Sequence, residues 1–176
     1  LLVLRAIVVL QGKLGLVFTF TGRQYVQSLG LGLLNPFLYY LILLKAYELL
    51  PAQEAQPLNY TWALTLTLLS IPLLKQKIGF KELAAGLVSY AGVLVISTHG
   101  EVFALRFTDP LGVALALGST VIWALYWIYN TRLERDPVVG LFLNFLFSLP
   151  FTLVFCLLFS EVRAHSAHSL LGAAYV

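Results

Sequence analysis

Long apolar runs separated by short polar connections dominate this chain. A helix needs about 20 residues to cross the hydrocarbon of a bilayer, and a helix is required there because bare backbone polar groups find no water. The pattern predicts full spans at 25–50, 55–74, 78–98, 110–130 and 138–159. Residues 1–10 and the run that begins near 168 resemble parts of two further spans, so we expect a piece of a longer protein. The expected fold is all-α, a polytopic transmembrane helical bundle.

The charges favour the same interpretation. Only 11% of the residues are charged, against about a quarter in soluble domains. Most of the Lys and Arg fall in alternate connections, namely Lys13, Arg23, Lys75, Lys77, Lys81, Arg132 and Arg135. Cytoplasmic loops carry such an excess, so this side is expected to face the cytoplasm of a bacterial inner membrane. Basic residues this scattered are not typical of a nucleic-acid surface, and membrane lipid is the expected partner.

The span at 110–130 carries a stripe of chemically graded residues at helical spacing. Its members, from small to aromatic to amide, are Gly112, Ala116, Ser119, Trp123, Tyr126 and Asn130. The small end lets another backbone approach closely, and the aromatic end can present rings to a ligand. Interhelical packing with an interfacial aromatic belt explains the stripe as well, and it is the preferred role of Trp127 and Tyr129.

Two other spans place amides and rings near each other. Asn35 and Tyr39 share a helix face, and Pro36 is expected to kink that helix and free a carbonyl. Asn35 could line a cavity or only satisfy the freed group. Asn59 and Trp62 share a face in the next span, where Asn59 could cap the helix, bond a neighbouring helix or touch a solute. The small residues of 78–98 predict close helix packing instead.

The sequence offers little for catalysis or metal binding. No carboxylate, histidine or activated nucleophile lies deep in a complete span, which argues against an intramembrane enzyme, and no cofactor is expected. Cys156 lies in an apolar run and is interpreted as a buried small hydrophobe. His165 and His168 with Glu161 form no specific metal signature, so no metal site is predicted.

Several segments resemble the drug/metabolite transporter superfamily, the EamA-type permeases. YYLILLKAYELLPAQEAQPLNYTW (39–62) resembles the family's third and fourth helices, and IGFKELAAGLVSYAGVLVIS (78–97) its fifth. DPLGVALALGSTVIWALYWIYNTR (109–132) resembles the start of its second repeat. NYTWA is similar to an Asn-Tyr-Leu-Trp-Pro element of the branch that exports aromatic amino acids, although Thr61 and Ala63 replace its Leu and Pro.

The resemblance implies part of a ten-helix transporter built from two inverted five-helix repeats. Residues 1–108 would hold part of the second helix and the third to fifth, and residues 109–176 the sixth, the seventh and the start of the eighth. The expected function is a permease that moves small organic metabolites, amino acids among them, by alternating access, and a coupling proton has no assigned carrier. The expected substrate-binding residues are Asn35, Tyr39, Asn59, Trp62, Ser119, Trp123 and Tyr126. The alternative is a non-transporting transmembrane scaffold or partner subunit.

Overall fold

The computed structural model describes residues 1–98, 100 and 108–159, and over these ranges the protein consists of helices and loops without a strand. It begins with α1 (Leu2–Leu10), a 3₁₀ turn (Leu14–Phe18) and α2 (Gly22–Gly32). The helices that follow are α3 (Tyr39–Leu49), α4 (Ala52–Tyr60), α5 (Trp62–Leu74), α6 (Phe80–Ser97), α7 (Pro110–Thr131) and α8 (Pro137–Phe159). The predicted all-α class is confirmed.

Three helical stretches in this part of the chain are long and apolar enough to cross a membrane: Gly22–Leu49, Pro110–Thr131 and Pro137–Phe159. They match the predicted spans at 25–50, 110–130 and 138–159. The predicted helix at 55–74 is divided into α4 and α5 at Thr61, whose hydroxyl donates to the carbonyl oxygen of Leu58 (2.7 Å). The one at 78–98 corresponds to α6, and the run near 168 lies outside the described residues.

The first long stretch is broken in its middle. Asn35 has an extended backbone (φ −147°, ψ 121°) between α2 and α3. The ring of Pro36 disfavours the helical conformation in the residue before it, so the break follows directly from the sequence. The six-residue wide turn Leu33–Leu38 carries the chain from α2 to α3, and the kink expected at this proline is confirmed.

Local capping chemistry sets where three of the helices begin. Thr21 and the side chain of Gln24 form a reciprocal capping box at the start of α2. The Asp109 carboxylate accepts from the amide of Gly112 (2.8 Å) before α7. Asp136 accepts from two first-turn amides of α8, each at 3.0 Å. A proline follows each aspartate, where its missing N–H costs no helical hydrogen bond.

α7 is the central helix, in contact with α3, α4 and α5. Its small end packs against α3 and α4 in a cluster that we call the apolar seal: Ala46, Leu50, Ala55, Leu58, Val113 and Ala116. A Cβ at Gly112 would lie 2.7 Å from Cγ of Leu50, so only glycine permits this approach. The predicted close approach at the small end of the stripe is confirmed.

Two packing predictions are wrong. In α6, a Cβ at Gly86 or Gly92 would meet no heavy atom within 4 Å among the residues that the structure places. The reason is that Gly92 is exposed, and Gly86 borders a small gap between α6 and α5 instead of a closely packed neighbour. Cys156 is exposed on α8 rather than buried, because its side of the helix has no described neighbour.

The basic connections meet at one end of the bundle. Lys13 Nζ forms an ion pair with Asp136 Oδ2 (2.7 Å), which joins the first connection to the one between α7 and α8. Lys77 and Thr131 line one cavity, which brings the α5–α6 connection to the same end. The predicted grouping of these charges therefore agrees with the geometry, and we call this the basic end.

Candidate functional site

Helices α3, α4 and α7 place a tyrosine, an amide and a hydroxyl together inside the bundle. The Asn59 amide donates from Nδ2 to the Tyr39 hydroxyl and to Ser119 Oγ, each at 3.2 Å. Ser119 is fully buried, and its hydroxyl donates to the carbonyl oxygen of Ala116 (2.6 Å). Three of the seven predicted site residues are thus bonded to one another across three helices.

Aromatic rings continue this cluster around Trp123. Its ring centroid lies 4.7 Å from that of Tyr39, 6.2 Å from Trp62 and 6.4 Å from Tyr126. Rings at such separations in tilted or edge-on arrangements attract each other. Six predicted residues therefore form one connected group, the amide–aromatic cluster: Tyr39, Asn59, Trp62, Ser119, Trp123 and Tyr126.

Asn35 has no described hydrogen bond or ring contact to this cluster. It lies in the helix break, one turn before Tyr39, and is 4% exposed. Its Oδ1 is buried without a hydrogen-bond partner among the described residues. Trp123 Nε1 is likewise buried without a hydrogen-bond partner among the described residues. A buried acceptor or donor that lacks a partner usually costs free energy.

A cavity of about 610 Å³ adjoins the cluster. Trp62 and Trp123 form its inner wall, and it extends along α5 and α7 towards the basic end, where Lys77 and Glu82 line it. Trp127 lines it as well, although the sequence favoured a role for this ring in the interfacial belt. Trp127 follows Trp123 by four residues, and that spacing was the available signal that both rings share a face.

A second polar group, the Arg135 cluster, was missed by sequence reasoning. It comprises Arg135, Ser28, Asn130 and Asn144. The guanidinium donates to Ser28 Oγ, to Asn144 Oδ1 (3.1 Å) and to Asn130 Oδ1 (3.3 Å). Asn144 Nδ2 donates in turn to the Tyr126 hydroxyl (3.2 Å), so this cluster touches the amide–aromatic cluster. The signal was Asn144, a buried amide in an otherwise apolar span.

Contacts and burial shift the pKa values of two charged residues in the loop between α7 and α8. The hydrogen bond from Lys13, with further donation by the Val139 amide, lowers the pKa of the Asp136 carboxyl. Burial lowers the pKa of the Arg135 guanidinium from its usual high value. Arginine is nevertheless not deprotonated in proteins. Asp136 is therefore a carboxylate, and Arg135 a half-buried cation, in the loop between α7 and α8.

No group of three or more metal-ligating side chains occurs within residues 1–98 and 108–159. The two histidines and the glutamate weighed as metal ligands, His165, His168 and Glu161, lie outside the described residues.

A bundle of long apolar helices with amides and rings gathered beside a partly open cavity defines a class, the helical integral membrane proteins that handle small molecules. The profile of the EamA-like transporter family matches residues 1–98. The match covers more than half of the 176 residues, so the chain belongs to this family of membrane transporters. No curated protein and no solved structure matches the chain.

Proposed function

We propose that the protein is a permease of the bacterial inner membrane that exports small organic metabolites, amino acids in particular, by alternating access. The observation that supports this most is the amide–aromatic cluster, which lies beside a cavity of about 610 Å³. Residues 1–108 and 109–176 would belong to two inverted repeats of a longer transporter. Sites at the interface of such repeats, near the bilayer midplane, are common in transporters.

The chemistry of the cavity suits a solute with an apolar or aromatic body and polar ends. Trp62, Trp123 and Trp127 line it, and ring faces give contact area and attract cations. Lys77 and Glu82 supply one charge of each sign near the basic end, which fits a zwitterion. A solute that carries a hydrogen-bond acceptor would also satisfy Trp123 Nε1, since Trp123 lines the cavity.

The two ends of the bundle differ in a way that supports alternating access. The cavity runs towards the basic end, which we take as cytoplasmic. At the other end the apolar seal packs α3 and α4 against α7, with Gly112 allowing the closest approach. In the proposed cycle, this arrangement would be the state that admits solute from the cytoplasm while the outer side is closed.

The scaffold alternative also has an observation in its favour. Asn59 is bonded to Tyr39 and Ser119 within the protein, as expected if the stripes serve only packing. Ser119 is fully buried, so labelling a cysteine at that position would not separate the two functions in this conformation. Transport itself has to be measured.

The experiment is uptake of radiolabelled phenylalanine and tryptophan by proteoliposomes that contain the complete protein. Trp123→Ala is expected to reduce transport at low solute concentration by about fivefold, since the lost ring contact with the solute contributes roughly 1 kcal/mol. Tyr129→Ala is the matched control, because its ring lies on the same helix and is 45% exposed. Equal transport by Trp123→Ala and the parent protein would remove Trp123 from the site, and no transport by the parent would favour a scaffold.

A further inference from the structure

The guanidinium of Arg135 joins three helices through uncharged acceptors. Its partners are the Ser28 hydroxyl of α2, the Asn130 amide at the end of α7 and the Asn144 amide of α8. The ion pairs formed among the described residues are Lys13–Asp136 and Lys45–Glu48, so neither involves Arg135. Bonds from a cation to neutral groups hold geometry without the cost of separating two opposite charges. Such a contact is suited to opening and closing.

Two glycines give the Arg135 cluster its shape. A Cβ at Gly140 would lie 2.7 Å from Nε of Arg135, so a larger residue there would displace the guanidinium from its place over α8. A Cβ at Gly32 would clash with the carbonyl oxygen of Asn144, so α2 reaches α8 by the same means. The local sequence is therefore built to receive the guanidinium between α2 and α8.

The position of the Arg135 cluster connects it to the residues around the cavity. It lies at the basic end, beside the ion pair of Lys13 with Asp136. If the repeats divide as proposed, both contacts cross from the first repeat to the second. Asn144 carries the connection inward to Tyr126, whose ring packs near those of Trp123 and Trp127.

We propose that Arg135 is a positioning residue that latches the basic ends of α2, α7 and α8 together beside the open cavity, and that it couples this contact, through Asn144 and Tyr126, to the amide–aromatic cluster. Separation of α2 from α8 requires the guanidinium to leave Ser28. The inference rests on the proposed function in its division into two repeats, but its test requires no solute.

The test is cysteine labelling at position 148 in the complete protein, after Cys156→Ser removes the one native cysteine of this sequence. Ser148 is 3% exposed, its backbone amide lies 3.3 Å from a Cβ placed at Gly32, and its hydroxyl donates to the carbonyl oxygen of Phe145 within α8. A membrane-impermeant maleimide applied to the cytoplasmic face should modify Ser148→Cys slowly. Arg135→Gln should accelerate the modification by at least about fivefold, the lower limit of usual conformational coupling.

Three further variants make the result specific. Gly140→Ala keeps the charge but displaces the guanidinium, so it should accelerate labelling as Arg135→Gln does. Arg132→Gln removes an exposed charge from the same loop and should have no effect. A cysteine at Ala46, fully buried in the apolar seal, should stay unlabelled in every variant. Unchanged labelling of position 148 in both Arg135→Gln and Gly140→Ala would overturn the latch, whereas accelerated labelling without amino-acid transport would overturn only the permease.

Discussion

At the residue scale, Trp123 is where the rings of the site meet. Tyr39, Trp62, Tyr126 and Trp127 all have ring centroids within about 6.5 Å of it. Helical spacing could predict that Ser119, Trp123 and Tyr126 share a face, because that depends on one helix alone. It could not predict that Asn59 would bond Ser119, since that contact depends on how α4 packs against α7.

Replacing either of two glycines of α2 by alanine should change the stability of the protein in opposite directions. Alanine at Gly32 would drive its Cβ into the Asn144 carbonyl oxygen, an overpacking that costs about 1–3 kcal/mol. Alanine at Gly30 meets nothing within 4 Å, so it should gain up to about 1 kcal/mol of helix propensity. Thermal unfolding in detergent should show a lower midpoint for Gly32→Ala and an equal or higher one for Gly30→Ala. Equal midpoints in the two variants would mean that α2 and α8 are not in close contact there.

At the scale of helices, the starts and the break were readable from the sequence, and the outward faces were not. Pro36 set the break at Asn35, and the Asp-Pro pairs set the starts of α7 and α8. The close packing predicted for α6 is wrong, because small residues pack closely only where a neighbour is present. Whether such a neighbour is present depends on the assembled bundle and cannot be predicted from the sequence of one helix.

The start of α8 predicts a pH dependence. The hydrogen-bonded ion pair with Lys13 lowers the pKa of Asp136 in the folded protein, so the ionised carboxylate stabilises the fold at neutral pH. This stabilisation is present above the pKa of an unfolded aspartate, near 4, and is lost as the pH falls through the lowered folded value. Its size should be at most about 1 kcal/mol, because both side chains are partly exposed.

Asp136→Asn provides the measurement for that ion pair. The variant keeps a capping side chain but cannot pair with Lys13. Unfolding midpoints measured from pH 7 down to acid should show the parent more stable at neutral pH, with the two proteins converging as Asp136 becomes protonated. A constant difference across the whole range would mean that the carboxylate charge contributes nothing.

At the scale of the whole molecule, the two ends of the described bundle are held by different kinds of contact. The apolar seal closes one end, and ionic and amide contacts with a cavity between them occupy the other. The sequence predicted the separation of the ends through the distribution of Lys and Arg. It could not predict the cavity, because the volume between helices depends on their crossing and on side chains from α5, α6 and α7 together.

The existence of a water-filled chamber can be measured directly by labelling α5. In the Cys156→Ser protein, Thr67→Cys places a thiol in the wall of the cavity, and Ile71→Cys is its control, because Ile71 is 38% exposed and lies outside that wall. A charged, membrane-impermeant methanethiosulfonate added from the side of the basic end should modify the thiol at position 67 and spare the one at position 71. Phenylalanine should slow the reaction at position 67. Modification of Thr67→Cys no faster than Ile71→Cys would contradict the presence of a solute chamber between these helices.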